Sequence, residues 1–337
     1  MNANSQLRPN RRQMLTVLGA AGLAGAPMVA SAQAKPITIR FNHTDGTGGE
    51  AFHFAEKLKS LLAERTSGRM VVQNFHSGQL GAEKDMYDSM QIGSIEMGRS
   101  GSLIISVAAP QFGALELPYV FRSQQHLRNV LAGPIGQAMH QDFLAKKGVR
   151  VLGIVNRGAR QLTTKNRAVR TPADLAGLKL RVPEIPVYVA AWRALGASPT
   201  PMAFPEVFTA LQQGTVDGQE NPIPVILSAK LSQVQKHLSL TNHVYSPAVL
   251  IVAPNIWNKL NDADKRVFSE AAKKGAAAQR KKVNDDEANG IAELKKDGMQ
   301  VVEQVNGESF RKAVAPAYAQ YAKEFGADKI AAIQNVK

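Results

Sequence analysis

The chain has 337 residues, of which 44% are hydrophobic and 20% charged, and it contains no cysteine. This composition is typical of a soluble globular protein large enough for two domains, and it excludes disulfides, thiolate metal sites and cysteine nucleophiles. The net charge is +14 at pH 7, but basic and acidic residues are mixed along the chain. That mixing favours a solvated surface whose field suits small anions over a nucleic-acid interface.

Residues 1–32 have the pattern of an export signal. The pair Arg11-Arg12 precedes a modestly apolar run that is too short to span a bilayer, and cleavage is expected near Ala32 or Ala34. The arginine pair resembles the twin-arginine export signature, with general secretion as the open alternative. The mature protein is therefore expected to be released into the periplasm.

The mature chain begins with the alternation of an α/β domain. Residues 37–43 alternate apolar and polar side chains as a strand does, and the following helix has apolar residues at steps of three and four until Gly68. A strand over residues 70–75, a helix near 82–92 and a strand near 95–99 continue the pattern. Strand–helix alternation predicts a largely parallel sheet covered by helices.

A second α/β unit is predicted further along the chain. Residues 149–155 are nearly all apolar and predict a buried strand, and Thr171 caps a short helical turn ahead of a strand in GLKLRVP. Helices are expected over about 186–195 and 205–213, with a loop over 214–222.

The last part of the chain is predicted to be helical. Capping residues begin at Asn261, and an amphipathic pattern continues from there to Gly298, long enough to bridge two lobes. Short helices are expected over residues 310–325.

The sequence contains no assembled catalytic constellation. The run from Gly98 to Ser102 lacks the second glycine of a nucleophile elbow, the histidines show no zinc-binding spacing, and Gly46, Gly48 and Gly49 lack the third glycine of a dinucleotide-binding turn. We therefore expect no enzyme activity, no metal and no cofactor.

Two arginines and one asparagine are candidate ligand-binding residues. Arg160 and Arg181 follow or end predicted strands, and α/β sheets bind ligands outside the carboxyl ends of their strands. A guanidinium can form two parallel charge-assisted bonds with one carboxylate. Asn221, held extended by Pro222, offers both a donor and an acceptor. Considered alone, each arginine can equally be a surface charge, and Asn221 can belong to a turn.

Several ordered motifs resemble the DctP-type family of TRAP transporter solute-binding proteins. They are residues 158–161 (GARQ), 171–183 (TPADLAGLKLRVP), 195–202 (LGASPTPM) and 210–222 (ALQQGTVDGQENP). The resemblance covers essentially the whole mature chain. It implies a two-lobe α/β binding protein of the type II-like, Venus-flytrap kind, with crossing strands and a long bridging helix. Lobe I is expected to comprise residues 35–156 with 247–286, and lobe II residues 157–246 with 287–337, whose C-terminal helices pack back on the lobes.

The resemblance also implies roles for site residues. Arg181 is expected to form the bidentate contact with a ligand carboxylate, Arg160 to be the second clamp, and Asn221 to complete the site. The other residues expected to contact ligand are Phe204, as an aromatic wall, His243, Glu184, Asn42, His43, Ser100 and Ser102.

The ligand class is predicted from one departure. Sialic-acid binders of the family carry a glutamate in the turn where this chain has Ser100-Gly101-Ser102, whereas here an acid, Glu184, follows the LRVP motif. Glu184 could accept hydrogen bonds from ligand hydroxyls, which favours a hydroxylated monocarboxylate such as a sugar acid, although it could equally be a solvated rim residue.

The expected function is that of the periplasmic solute-binding protein of a TRAP transporter. Its expected partners are a small organic anion and the small and large membrane subunits, with no nucleic acid, and the protein is expected to be a monomer. A C4-dicarboxylate binder of the same family, or a periplasmic sensor partner without a transport role, is the alternative. A secreted enzyme and an ABC-type binding protein fit the motifs less well.

Overall fold

The computed structural model describes residues 36–147 and 149–337. The predicted export signal, with its arginine pair and its cleavage region, lies outside these residues. The described strands are β1 (Ile37–Asn42), β2 (Met70–Phe75), β3 (Met97–Ser100), β4 (Arg150–Thr164), β5 (Lys179–Val182), β6 (Ser198–Pro201), β7 (Gly218–Pro222), β8 (His237–Ser239), β9 (Tyr245–Val252) and β10 (Gln300–Val302).

Helices surround these strands. They are α1 (Glu50–Arg65), α2 (Glu83–Gln91), α3 (Leu103–Ala108), α4 (Gln124–Ala132), α5 (Pro134–Lys147), α6 (Pro186–Ala194), α7 (Val207–Gln213), α8 (Ile223–Ser228), α9 (Pro254–Trp257), α10 (Asp262–Lys296), α11 (Gly307–Ala313), α12 (Ala315–Tyr321) and α13 (Ala327–Asn335). Short 3₁₀ segments include Pro110–Glu116, Pro172–Leu175 and Phe204–Glu206. In the described part of the chain, no helix combines the length and the hydropathy that a membrane span requires.

The strands form one mixed sheet in the order β2-β1-β3-β9-β4-β7-β5-β6, with β8 and β10 branching from β4. Its two outer parts are parallel, as predicted: β1 pairs with β2 and β3, and β5 pairs with β6 and β7. The centre is antiparallel, because the long strands β4 and β9 pair with each other and join the two parts. These are the crossing strands that the family resemblance implies.

The first part of the sheet confirms the alternation in the sequence. In β1, Ile39 and Phe41 are fully buried, and the helix α1 places Phe54 and Leu58 against them. The opposite face of β1 carries Arg40, whose guanidinium binds the Glu96 carboxylate at 2.6 Å. Two-residue periodicity in the strand and three- or four-residue periodicity in the helix therefore locate this core from sequence.

Two predictions in the second part are wrong. The strand expected over 149–155 continues as β4 to Thr164, so Arg160 lies inside the strand and not after it. The loop expected over 214–222 ends in the strand β7, all five residues of which are buried. The residues Gln219, Glu220 and Asn221 are polar, so hydrophobicity gives no sign of a strand that is buried through side-chain hydrogen bonds.

The long C-terminal helix is confirmed. The Asn261 side chain accepts a hydrogen bond from the Asp264 backbone amide at 2.8 Å and so begins α10, which has 35 residues. Helix α10 packs on the crossing strand β4, on α1, which packs on β2 in one outer part of the sheet, and on α8, which packs on β7 next to the other. The helices α11 to α13 then close the described chain.

Candidate functional site

A small cavity lies where β4, β5 and β7 meet the loop after β3. We call it the arginine cavity. Its polar lining residues are Thr44, Glu83, Ser102, Arg157, Arg160, Arg181 and Asn221. Its apolar lining residues are Leu103, Pro183, Ile185 and Phe204. The cavity has a volume of about 30 Å³, roughly that of one water molecule, so an organic ligand fits only after the walls move apart.

Arg181 is the most unusual side chain in this cavity. It is only 3% exposed, although it lies on a four-residue strand beside the exposed Lys179. Its Nε and Nη2 donate to the Met202 carbonyl oxygen at 3.1 and 2.6 Å, and its guanidinium lies 5.7 Å from the centre of the Phe204 ring. Among the described residues no carboxylate forms an ion pair with it within 4.0 Å.

This isolation has an electrostatic consequence. Burial lowers the pKa of Arg181 to about 10, which the distant Glu220 carboxylate opposes and the neighbouring Arg160 cation reinforces. A buried cation without a counter-charge is costly, so an anion in the cavity would stabilise it strongly. The Nη1 group donates to no atom of the described residues and is free to bind such an anion.

Arg160, by contrast, is paired within the protein. The register of β4 and β7 places Leu162 opposite Glu220, so Arg160 and Glu220 are diagonal neighbours on one face. The Nε of Arg160 donates to Glu220 Oε2, and its Nη2 donates to Glu220 Oε1 at 2.7 Å. Despite its burial, Glu220 has a pKa lowered to about 2, because Arg160 and His243 stabilise its charged form.

Asn221 and Phe204 both line the cavity, where the sequence places them. The Asn221 amide nitrogen donates to Gln219 Oε1 at 2.6 Å, and its Oδ1 accepts a bond from Arg160 Nη2 at 3.2 Å. The amide group is therefore fixed in orientation before any ligand arrives.

Arg157 also lines the cavity, and the sequence analysis missed it. The pairing of β4 with β9 shifts register between Asn156 and Ala159, where Gly158 has a φ of 92°. This bulge lets Arg157 and Arg160 reach the same cavity, although residues three apart on a regular strand point to opposite faces. Only glycine suits this backbone, because its φ is in the left-handed region.

Arg157 belongs to a buried cluster of four charges with Arg99, Asp45 and Glu50. Arg157 Nε donates to Glu50 Oε1 at 3.0 Å, and Arg99 binds both Asp45, at 3.0 Å, and Glu50. Burial by itself would raise the pKa of Asp45, but the Arg99 and Arg157 cations outweigh burial and lower that pKa to about 2. The two cations and two anions of this cluster offset each other.

Ser102 lines the cavity beside Glu83 and Gly101, which the sequence analysis did not propose as site residues. Its hydroxyl lies 2.9 Å from the Ser246 hydroxyl. The neighbouring backbone amide of Gly101 donates to Glu83 Oε1 at 2.6 Å, and a Cβ on Gly101 would collide with Arg157 Nη1. Gly101 therefore makes room for the Arg157 guanidinium.

The other predicted site residues do not line the arginine cavity. The Asn42 side chain is bound to the backbone of Gly81 and Leu80, and His43 contacts Asn74, with burial lowering the pKa of His43 to about 4. Ser100 is fully buried in β3.

His243 and Glu184 are the remaining two. His243 Nε2 lies 2.8 Å from Glu220 Oε2, so it supports the site from behind. Glu184 is exposed and lines a different, larger cavity between α6 and α12. The structure therefore brings Arg160, Arg181, Asn221, Phe204 and Ser102 together and leaves the other five outside.

The charges of the site favour an anionic ligand. Four buried guanidiniums, those of Arg99, Arg157, Arg160 and Arg181, surround three buried carboxylates that pair with them, those of Asp45, Glu50 and Glu220. Arg181 is the member of this set whose guanidinium forms no ion pair with a carboxylate; the half-buried Glu83 carboxylate lines the same cavity and opposes the lowering of the Arg181 pKa without binding it. Two parallel-sheet parts joined by crossing strands, with an unpaired cation at their meeting point, define a protein that binds an organic anion between two lobes.

Comparison with known proteins identifies the family. The family profile described as "Bacterial extracellular solute-binding protein, family 7" (DctP) matches residues 41–324. The chain belongs to this family, which comprises TRAP transporter solute-binding receptors and not enzymes. A solute-binding protein of Verminephrobacter eiseniae is 42% identical over 95% of this chain and 94% of its own length.

Solved structures confirm the two-lobe fold. A TRAP periplasmic solute-binding protein from Polaromonas, bound to D-erythronate, is 50% identical with a TM-score of 0.85, covering 89% of this chain and 99% of the other. One from Roseobacter denitrificans, with bound L-galactonate, is 36% identical with a TM-score of 0.83 and the same coverage.

Proposed function

We propose that this protein captures a hydroxylated monocarboxylate, such as a sugar acid, with its carboxylate on Arg181, and delivers it to the membrane subunits of a TRAP transporter. The observation that carries the proposal is the buried guanidinium of Arg181, which has no carboxylate partner within the described chain. A ligand carboxylate would supply the missing charge through a bidentate contact.

The other cavity residues would define the rest of the ligand site. Arg160 and Asn221 are fixed by Glu220 and Gln219, so they would meet the carboxylate without further ordering. Arg157 and Glu83, which also line the cavity, offer a donor and an acceptor to ligand hydroxyls. The relatives solved with D-erythronate and L-galactonate support a hydroxylated acid.

The charge balance favours one carboxylate over two. A monoanion would meet the unpaired guanidinium of Arg181, whereas the second carboxylate of a dicarboxylate would lie in a cavity that already holds the Glu83 carboxylate. A C4-dicarboxylate remains the second candidate, because a relative from Sulfurospirillum deleyianum at 28% identity carries succinate.

Ligand binding requires the cavity to open. Its volume of about 30 Å³ is far smaller than a sugar acid, so the walls must separate and then close by a hinge motion. We place the division at lobe I, residues 35–156 with 247–286, and lobe II, residues 157–246 with 287–337. The boundary then crosses β4 between Asn156 and Arg157, at the irregularity around Gly158.

The cellular setting of the proposal follows the family. The protein would be exported, act in the periplasm as a monomer, and bind the small and large TRAP membrane subunits in its ligand-loaded form. A role as a sensor partner would use the same site, and neighbouring genes that encode a membrane carrier would favour transport.

A thermal-shift screen tests the proposal. Purified mature protein is heated with D-erythronate, L-galactonate, other sugar acids, hydroxy acids and succinate, because a ligand that binds only the folded state raises the melting temperature. We expect the largest shift with a hydroxylated monocarboxylate.

Matched variants locate the binding site. Arg181→Met should abolish the ligand-induced rise in melting temperature. Arg193 is an exposed arginine on α6, so Arg193→Met should show the same rise as the original protein. A shift that survives in Arg181→Met, or a larger shift with succinate than with every sugar acid, would contradict the proposal.

A further inference from the structure

Glu116 is a buried acid next to the site that the proposed function does not use. It ends the 3₁₀ segment Pro110–Glu116 and is fully buried. The Tyr188 hydroxyl donates to its Oε2 at 3.0 Å, while its Oε1 is buried without a hydrogen-bond partner in the described residues. No basic side chain of those residues forms an ion pair with it.

Glu116 is connected to the arginine cavity by two routes. The ring of Tyr188 lies under the Arg160 guanidinium, 5.5 Å from its centre to the guanidinium carbon. The Ser102 hydroxyl, which lines the cavity, is close enough to Glu116 to stabilise its charged form. A charge on Glu116 would therefore be felt by an anion in the cavity.

The surroundings of Glu116 favour its neutral form. Burial is the largest influence and raises the pKa of Glu116 to about 7, helped by the negative charge of Glu220. The hydroxyls of Ser102 and Tyr188 and the cation of Arg160 oppose this rise without cancelling it. Arg160 acts on Glu116 through its charge alone, because its hydrogen bonds are with Glu220 and Asn221.

We propose that Glu116 is a positioning residue that must carry a proton while the ligand carboxylate is bound, so that ligand capture takes up a proton at Glu116. The inference rests on the proposed function. The arriving carboxylate adds a negative charge near a carboxyl group that has no counter-ion, so the ionised form of Glu116 becomes still less stable. The proton comes from solvent and forms an O–H bond on the carboxyl, and no other bond changes.

The protonated group also gains a role that the ionised group lacks. A neutral carboxyl has one O–H donor, whereas a carboxylate can only accept. The unpartnered Oε1 could then donate to the Ser102 hydroxyl, whose own hydrogen would be directed to Ser246 or to a ligand oxygen. Glu116 would thus orient a cavity hydroxyl without touching the ligand.

The sign of the pH dependence follows from linkage. When the bound state holds more protons than the free state, affinity falls as the pH rises through the pKa of the free group. Affinity for a sugar acid should therefore be highest below pH 7 and fall about fivefold or more between pH 7 and pH 9. Burial lowers the pKa of His43 to about 4 and also lowers that of His243, so neither imidazole gains or loses charge in this range.

Isothermal titration calorimetry of the mature protein tests the inference. D-erythronate and L-galactonate are titrated at pH 7.5 in phosphate and in Tris, whose ionisation enthalpies differ. We expect the observed binding enthalpy to depend on the buffer, as proton uptake requires. In Glu116→Gln, which keeps the shape and a donor but cannot titrate, the buffer dependence and the loss of affinity between pH 7 and pH 9 should both disappear.

Controls separate this inference from the proposed function. Glu184→Gln, at an exposed acid, should keep the buffer dependence of the original protein. If Glu116→Gln does not fold, Tyr188→Phe provides a second variant, because losing the hydroxyl should raise the pKa of Glu116 and move proton uptake to higher pH. Binding without proton uptake, or an unchanged pH profile in Glu116→Gln, overturns the role of Glu116 alone. Failure of every carboxylate to bind overturns the proposed function, and this inference with it.

Discussion

Two regions of the site bury arginine in opposite ways. In the four-charge cluster, Arg99 and Arg157 are surrounded by Asp45 and Glu50, and every charge has an opposite neighbour. At the end of β5, Arg181 is equally buried but binds only a carbonyl oxygen. Burial of an arginine therefore does not by itself point to a ligand site, and our proposal rests on the arginine that is buried without a counter-charge.

The comparison predicts opposite costs for removing the two kinds of arginine. Arg99→Met should lower the free energy of unfolding by about 3–5 kcal/mol, because it leaves Asp45 and Glu50 with too little positive charge. Urea unfolding monitored by circular dichroism measures this change. A loss below 1 kcal/mol would mean that the cluster does not hold the fold together.

Arg181→Met should instead reduce ligand affinity by about 2–5 kcal/mol, or roughly 30-fold to several thousand-fold. Without ligand its free energy of unfolding should be unchanged or higher, because an uncompensated buried cation has been removed. Calorimetric titration and urea unfolding of the same sample measure both quantities. A destabilised protein with full affinity would reverse our interpretation of the two regions.

The four-charge cluster should also make the stability of the fold sensitive to acid. The pKa of Asp45 falls to about 2 in the folded protein from an ordinary value of 3.8. The ionised Asp45 therefore contributes about 2 kcal/mol to the free energy of unfolding above pH 4, and this contribution is lost as the pH falls toward 2. In Asp45→Asn the difference in urea midpoint between pH 5 and pH 2.5 should narrow, and an equal difference in both proteins would refute the assignment.

Gly101→Ala tests the boundary between the two regions. The new methyl group would displace the Arg157 guanidinium within the cavity, and we expect a sugar acid to bind about tenfold more weakly, with a small change in melting temperature. The backbone there needs no positive φ, so strain does not confuse the result. Unchanged affinity would show that Arg157 serves only the charge cluster.

Glu184→Gln should have the smallest effect. Its carboxylate is exposed and lies outside the arginine cavity, so we expect a change below twofold in affinity for any sugar acid. Titration of the variant measures this directly. A larger loss would mean that lobe closure carries Glu184 to the ligand, as the sequence-based hypothesis has it.

Local patterns in the sequence determined much of this protein. Strand and helix periodicity located β1, α1, β2 and α10, because each buries one regular face. The ordered motifs identified the family and singled out Arg160, Arg181 and Asn221. A short segment carries such patterns in its own sequence, so they can be recognised before its contacts with the rest of the protein are known.

Only the tertiary structure decided which charges are paired. Glu220 lies 60 residues from Arg160, and Glu50 lies 107 from Arg157, so no local pattern links them. The bulge at Gly158 brought Arg157 into the cavity, and a buried polar strand replaced the expected loop before Pro222. Electrostatic energy depends on distance in space and on burial, so the unpaired guanidinium of Arg181, on which the proposed site rests, can be recognised only when the chain is folded.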